Sequence, residues 1–386
     1  MSFFKKLALY IIKKLISLIR VIKWVFLLNY GILNTDKKLL ILYDTSTQPF
    51  SIGDAIVVLA AGISLKIRFK LKKIDVVILY NPESPGSLDL SFKSLSSYNL
   101  KKYLSVIYSV FYSNRDVGSL YILDSYKKFE QLITDSDIYV VWPSGFKFLN
   151  GEYLYYESLE KIIYENWHNE KIFPLLQIED YLDDWANDFF QKNSYGQVPI
   201  TINIRNNNHH QEFRNTVIKE WVDFIKKSKD LNIKFFIICA LSEVPDSLRD
   251  LENVIISRDI YTGVEFDLAL IKNSAAHLGA GSGPMTFAWF SDKPYLMTNI
   301  NYFEGELSNI NLEYSHFSNK NLVQKIDQNY SKFCFSKNNQ IIYNFIESSF
   351  ILSSYLEEIW PVIRGEIVDK KTSSNNSRKD GLNWLK

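Results

Sequence analysis

Thiols are scarce in this chain, with only Cys239 and Cys334 among 386 residues. Two cysteines without metal-ligand spacing build neither a disulfide framework nor a zinc site, which fits a reducing compartment. Histidine is also sparse: His209 and His210 are adjacent, while His168, His277 and His316 stand alone, so no metal set is expected. A Gly-x-Ser-x-Gly elbow is missing, and neither cysteine has a setting that suggests activation, which argues against a nucleophilic triad. No repeat with a period of about 20–50 residues is visible. Long apolar runs are lacking as well. The uncharged run Trp24 to Thr35 is too short for a membrane span of about 20 apolar residues, and lysines interrupt what a signal peptide would need as its apolar region.

Apolar bulk, by contrast, is plentiful. Hydrophobic residues make up 47% and charged residues 23%, enough for large cores and against global disorder. At 386 residues two domains, and hence a cleft, are expected. The net charge of +1 hides a local asymmetry in the first residues. Lys6, Lys13 and Arg20 recur every seven positions with Lys5 and Lys23 near the same side, opposite Leu7, Ile11, Leu15, Leu18, Ile22 and Val25. This pattern predicts an amphipathic helix over residues 3–28, lying in the interface of an anionic membrane. A helix docked on its own domain has the same period and stays open as the alternative.

Beyond this segment the chain alternates strands and helices. "KKLLILYDTS", "SIGDAIVVLAAGISLKIRFKLKK" and "IDVVILYN" read as a strand-helix-strand unit, and a polar loop, mixed helical segments and the strand "SDIYVVWPSG" follow. Residues 151–192 read as helical, and "NSYGQVP" is a turn-rich break. The second block runs through the strands "PITINIR", "IKFFIICA", "NVIISR", "AAHLGA" and "PYLMTNI". These are short and apolar without alternation, as in a parallel sheet covered on both faces. The expected map is a membrane-associated helix at 1–35, an N-terminal Rossmann-like acceptor-side domain at 36–192 and a C-terminal Rossmann-like nucleotide-sugar domain at 193–335. A helical region at 336–368 that can cross back to the first domain and a disordered tail at 369–386 complete it.

Ligands of such sheets bind beyond the carboxyl ends of the strands. On that edge the stretch "HLGAGSGPMTF" places a glycine-rich turn between a strand and a helix. Gly281 and Gly283 permit close approach or positive φ, and Pro284 near the helix start gives up an amide the helix does not need. Backbone amides gathered there suit a phosphate, though a plain strand-turn-helix corner has the same sequence. Arg205 ends the first strand of this block and Glu265 opens a helix on the same edge, offering charge neutralisation and an acceptor for ribose hydroxyls. For Glu265 a helix N-terminal carboxylate favoured by the dipole is the alternative. An Asp-x-Asp occurs at Asp135 to Asp137, but it precedes a strand and so reads as a turn.

Two α/β blocks with "GSGPMTFAWFSDKP" late in the second resemble a GT-B glycosyltransferase, and the turn is similar to the Ser-Gly-Pro-x-x-x-Ala turn of heptosyltransferase-like families. "PFSIGDAIVVLAAG" resembles the Gly-Asp loop after the first strand of those enzymes, and "INIRNNNHHQEFRN" is similar to the Arg-bearing strand end of fucosyltransferase-like and related bacterial surface-polysaccharide transferases. Where the heptosyltransferase subgroup commonly has Asp and His, this chain has Gly281 and Thr286. The resemblance implies donor diphosphate binding by Ser282, Gly283, Met285 and Thr286, with Arg205 and Arg214 neutralising the leaving group in place of a metal. No cofactor beyond the nucleotide-sugar donor is expected, the acceptor is a glycan or lipid-linked glycan, and no nucleic-acid partner is expected. Asp54 is the candidate base for the acceptor hydroxyl, with an N-cap role for a helix beginning at Ala55 as its alternative, and His209 or His210 as rim substitutes. The expected location is the cytoplasmic face of the cell membrane. A different-class alternative is a catalytically silent membrane-bound scaffold that kept the nucleotide turn.

Deletion of residues 1–30 is expected to release the protein from anionic vesicles in a flotation assay while nucleotide binding persists, because the basic and apolar faces act together at a bilayer. Unfolding of the truncated protein would place the segment in the core instead.

Overall fold

The computed structural model describes residues 36–46, 48, 51–80, 97–134, 139–143, 159–206, 212–300, 312–313, 330–337, 339–343 and 347–365, together with 10–12, 15, 18, 19 and 22 near the start. These N-terminal residues are helical. Ile11, Ile12, Leu15, Leu18, Ile19 and Ile22 fall on one side at about 100° per residue and are 40–61% exposed. The basic residues of the expected amphipathic segment, the Asp135–Asp137 pair, His209, His210 and the tail 369–386 lie outside the described residues. No described helix is long and apolar enough to cross a membrane.

The chain divides into two compact units, Met1–Gln177 and Ile178–Lys386. In the first, β1 (Lys38–Asp44), α1 (Ile52–Arg68), β2 (Ile74–Leu79), α2 (Ser97–Tyr112), β3 (Val117–Leu123), α3 (Tyr126–Thr134), β4 (Tyr139–Trp142) and α4 (Leu159–Glu170) follow in order. Their sheet has the parallel order β3-β2-β1-β4. Asp75, wholly buried near the start of β2, ties the amino end of every strand: it accepts hydrogen bonds from Lys38 Nζ at 3.0 Å, Tyr139 OH at 2.8 Å and the Ser119 amide at 2.8 Å.

β3 is a correction to the sequence reading, which placed only helical segments there. As an edge strand carrying Gly118 and Ser119 and exposing Ile122, it lacks the apolar run of a central strand. The helical stretch 151–192 also resolves differently, into α4 and α5 (Asp180–Asn193) separated by an irregular segment around Pro174. α5 belongs to the second unit, so the units part at Gln177/Ile178 rather than at the turn-rich 193–199. The reason is packing. Phe189 and Phe190 of α5 set their rings against Phe236 of the second sheet, with centroids 5.7 and 4.9 Å apart.

The second unit continues with β5 (Val198–Asn203), α6 (Ile218–Lys227), β6 (Ile233–Ile238), α7 (Asp246–Arg249), β7 (Val254–Ile256), α8 (Val264–Asn273), β8 (Ala276–Ala280), α9 (Gly283–Trp289), β9 (Tyr295–Thr298), β10 (Leu312–Glu313), β11 (Tyr330–Phe333), β12 (Gln340–Tyr343) and α10 (Ser349–Ile363). The sheet order is β10-β11-β12-β9-β8-β5-β6-β7, parallel from β12 to β7. Counted along the chain, its parallel strands stand 3-2-1-4-5-6, the doubly wound order of dinucleotide-binding sheets. Both faces are covered: Phe235 points into a cluster with Trp221, Phe224, Tyr355 and Leu356, while Phe236 meets α5 on the other face.

β12 revises the reading of 336–368 as wholly helical. Ile341, Ile342 and Tyr343 are β-branched or aromatic and buried on both faces, so they extend beside β9 as the sixth parallel strand. α10 belongs to the second unit, with Ile351, Leu352, Tyr355, Leu356 and Ile359 in its core.

Central in β8, His277 is completely buried, its Nδ1 2.9 Å from Thr201 Oγ1 and its Nε2 without a hydrogen-bond partner. Burial pushes its pKa down to about 3. An unfolded imidazole titrates near about 6.5, so the unfolded chain takes up the extra proton first and stability is lost as pH falls from about 6.5 towards the folded value. Urea midpoints are therefore expected to fall less between pH 7 and pH 4.5 in His277→Gln than in the wild type. Parallel decline would show that His277 does not set the acid sensitivity.

Candidate functional site

The carboxyl edge of the second sheet has its switch point between β5 and β8, where successive strands depart in opposite directions. Asn203 ends β5 and pairs in register with Gly279. A Cβ on Gly279 would lie 2.6 Å from the Asn203 carbonyl oxygen and 2.8 Å from its Cβ, so only glycine lets the two strands close. Asn203 Oδ1 then accepts the Ser282 hydroxyl at 2.7 Å.

That bond decides how the glycine turn is presented. Ser282 is the N-cap residue of α9, with φ −159° and ψ 174°, yet its hydroxyl does not cap its own helix. Its carbonyl instead accepts the Thr286 amide at 3.0 Å and the Thr286 hydroxyl at 3.1 Å. Neighbouring strands fix the other side: the Gly281 amide donates to the Thr298 carbonyl at 3.1 Å, and Thr298 Oγ1 donates to the Gly279 carbonyl at 3.2 Å. The Gly281 carbonyl accepts Arg214 Nε at 3.1 Å and also Arg214 Nη2. First-turn helix amides have no intrahelical acceptor, and those of Gly283 and Met285 belong to this turn; Pro284, the second helical residue, contributes none. Gly281 and Gly283 are absent from the positive-φ residues, so close packing, not a left-handed conformation, explains the glycine at 281.

Arg205 follows β5 by two residues. Its amide donates to Thr216 Oγ1 at 3.0 Å, and its carbonyl accepts the Thr216 amide at 2.8 Å, which ties it to the short segment bearing Arg214. Arg214 thus braces the turn through a carbonyl, with its guanidinium beside the switch point. Met285 is fully buried and Thr286 nearly so, which limits Met285 to its backbone and engages the Thr286 hydroxyl inside the turn.

On the same edge, Glu265 is the second residue of α8, and its Oε2 is buried with no hydrogen-bond partner. Gly263, at φ 132°, makes room for it: a Cβ there would stand 2.6 Å from Glu265 Oε1. The loop before α8 is pinned by buried Asp267, which accepts the Tyr261 hydroxyl at 2.7 Å and pairs with Arg258. Desolvation raises Asp267 to about 6, opposed by that arginine. Cys239, at the end of β6, is pushed up to about 12 by burial and is a poor nucleophile.

In the first unit, Asp54 is the third residue of α1. Its amide donates to Ser51 Oγ at 3.2 Å, so Ser51 and not Asp54 is the N-cap, and α1 begins at Ile52 rather than Ala55. Asp54 stands at the start of the helix leaving β1, the strand at that sheet's own switch point. Buried Asp44, at the end of β1, accepts the Ser46 hydroxyl at 2.6 Å and the Tyr126 hydroxyl, fastening the loop that leads there.

The structure gathers Arg205, Arg214, Glu265, Ser282, Gly283, Met285 and Thr286 along one sheet edge of one unit and puts Asp54 in the other. Sequence reasoning missed Asn203, Gly279 and Thr298. A polar residue inside the apolar run Ile202-Asn203-Ile204 was the available signal.

The molecule is thus a protein of two α/β units, each with a doubly wound set of parallel strands, and the second carries a glycine turn at its switch point. No protein-family model matches the chain, and no curated protein matches it. Among solved structures it is similar to a glycosyl transferase family 9 protein from Veillonella parvula, at 11% identity over 69% of this chain and 82% of that one, with a TM-score of 0.47. It is also similar to the Escherichia coli ADP-heptose LPS heptosyltransferase II, at 15% identity over 68% and 84%, TM-score 0.42. A third is the E. coli heptosyltransferase WaaC with ADP-2-deoxy-2-fluoro heptose, at 11% identity over 83% and 99%, TM-score 0.41. The strand orders of the two sheets, not these likenesses, define the fold.

Gly279→Ala is expected to cost about 1–3 kcal/mol in urea unfolding, since the added methyl meets backbone. Gly281→Ala should cost less, because the nearest atom, Met297 Cε at 3.0 Å, ends a flexible side chain. Equal costs would mean that the β5/β8 contact is not the tight one.

Proposed function

We propose that this chain is a glycosyltransferase that moves a sugar from a nucleotide-sugar donor to a glycan or lipid-linked glycan acceptor in surface polysaccharide biosynthesis, without a metal. The observation that carries this reading is the turn Gly279–Gly283 at the switch point, held from β5, β9 and Arg214 and followed by the first-turn amides of Gly283 and Met285, which have no intrahelical acceptor. Amides at that place suit the donor's diphosphate. Arg205 supplies positive charge beside it, and the unpartnered Glu265 Oε2 is an acceptor for a ribose hydroxyl. In an inverting transfer, Asp54 takes the proton from the acceptor hydroxyl as that oxygen bonds to the anomeric carbon. The bond to the diphosphate breaks, and the leaving oxygen keeps the electron pair beside Arg205.

Membrane association through residues 3–28 is part of the proposal. Its support is the exposed apolar side formed by Ile11, Leu15, Leu18 and Ile22, together with the basic residues interleaved in the same sequence. The place of action would be the cytoplasmic, anionic face of the cell membrane.

Calorimetric titration of Arg205→Ala with nucleoside diphosphates and with bare nucleosides tests the donor half. A hydrogen bond to a charged group contributes about 1.5–3 kcal/mol, so the diphosphate should weaken by about tenfold or more while the nucleoside is unaffected. Equal losses would give Arg205 a structural role. Asp54→Asn should keep donor affinity and lose about 10²–10⁴-fold in sugar transfer. Full transfer in that variant would exclude Asp54 as the base, and a wild type that binds diphosphate yet transfers no sugar to any acceptor would favour the silent scaffold.

A further inference from the structure

The segment Glu212–Val217 carries Arg214 and is bonded to Arg205 through Thr216, but neither arginine explains why it stays where it is. Its far end is held by a residue 130 positions away. The Val217 amide donates to Glu347 Oε1 at 2.8 Å, and the indole Nε1 of Trp221, one turn into α6, donates to the same oxygen at 3.0 Å. The Glu347 amide in turn donates to Asn299 Oδ1 at 3.2 Å, and Asn299 Nδ2 donates to the Asn215 carbonyl at 2.7 Å. Two residues of the segment and two side chains from the carboxyl ends of β9 and β12 thus close a ring.

The ring has features that plain packing does not require. Glu347 is 2% exposed, and Oε2 has no partner while Oε1 has two donors. Desolvation raises the carboxyl above its usual range, against the hydrogen bonds from Trp221 and Val217 that lower it. Asn299 sits at φ 55°, a left-handed conformation that asparagine tolerates better than most residues. Beside the ring, the Ser349 amide donates to Glu220 Oε2 at 2.7 Å, so the starts of α6 and α10 are stitched by two carboxyl groups in opposite senses. The segment held in this way is the one whose Arg214 braces the Gly281 carbonyl.

We propose that Glu347 and Asn299 form a clasp that positions the Glu212–Val217 segment, and through it Arg214 and the amide-bearing turn, for the donor's diphosphate. Both are positioning residues: neither touches the ligand, and the clasp registers the C-terminal helix α10 to the anion site. The inference deepens the glycosyltransferase reading and rests on it for the identity of the ligand. A displacement of about 1 Å in positioning groups can cost about 10²-fold, which gives such a clasp its leverage.

Three variants test it. Glu347→Gln is isosteric with the carboxyl group and keeps an accepting oxygen; Glu347→Leu removes the acceptor; Asn299→Gly removes the bridging amide while suiting the left-handed backbone. The readouts are titration with ADP, GDP and UDP, and hydrogen exchange at the amides of Thr216 and Gly281. Glu347→Gln should bind the preferred diphosphate within about twofold of the wild type, whereas Glu347→Leu and Asn299→Gly should bind it about tenfold more weakly and exchange faster at both amides. Native affinity and native exchange in a folded Glu347→Leu or in Asn299→Gly would overturn the clasp, as would failure of Glu347→Gln to rescue in a folded protein. If Glu347→Leu does not fold, Asn299→Gly decides. If the wild type binds none of the three diphosphates, the transferase reading fails separately and exchange at Thr216 and Gly281 decides the clasp.

Discussion

Asn203 and Gly279 lie side by side where the second sheet reverses its direction of growth, and the approach of their backbones sets the geometry of the edge above them. A side chain at 279 would hold β8 away from β5 and break the bond from Ser282 to Asn203. With the strands closed, the chain leaving β8 turns at once into α9 with its carbonyls engaged by Arg214, Thr286 and a neighbouring amide or hydroxyl. The amides of Gly283 and Met285, in the first turn of that helix, have no intrahelical acceptor. The constraint is steric, and its consequence is electrostatic.

The same division of labour runs through the second unit. Its faces are apolar and closed by helices on both sides, and near the carboxyl ends of the strands several polar groups are fixed by specific partners: Thr216 on Arg205, Asp267 on Arg258 and Tyr261, Glu347 on Val217 and Trp221. Buried polar groups held in this way are costly to leave unpaired, so they specify one arrangement of the loops. Two of the buried atoms without a hydrogen-bond partner differ in their place: Glu265 Oε2 lies on the carboxyl edge of the sheet, whereas His277 Nε2 lies within a central strand and bears on acid stability.

The first unit repeats the plan on a smaller scale. Asp75 gathers all four strands at their amino ends, and Asp44 with Ser46 and Tyr126 fastens the loop at the opposite end that leads to Ser51 and Asp54. Glycine at 53 and aspartate at 54 are therefore presented at the first turn of a 17-residue helix whose position is set by its packing on β1 and β2. A carboxylate in that place is favoured by the helix dipole.

Much of this was legible in the residues themselves. Unbroken apolar runs gave the central strands, because a parallel strand buried on both faces has no polar face to show, and the glycine turn announced itself by composition alone. Local signals failed where the deciding contact was distant. β3 is half-polar because it is an edge, β12 is a strand only through its neighbour β9, and α5 joins the second unit only through its contact with Phe236. Asn203 is marked only as a polar residue in an apolar run, and Asn299 and Glu347 have no mark in sequence, since each acts through a partner about 50 to 130 positions away or across a sheet. Residue order by itself determined the strand-helix alternation, the turn and the basic-apolar first segment, which depend on neighbours along the chain; strand order, the Gly279 approach and the ring around Glu347 were decided by tertiary structure, because hydrogen bonds and steric contacts between remote segments exist only once the sheet has assembled.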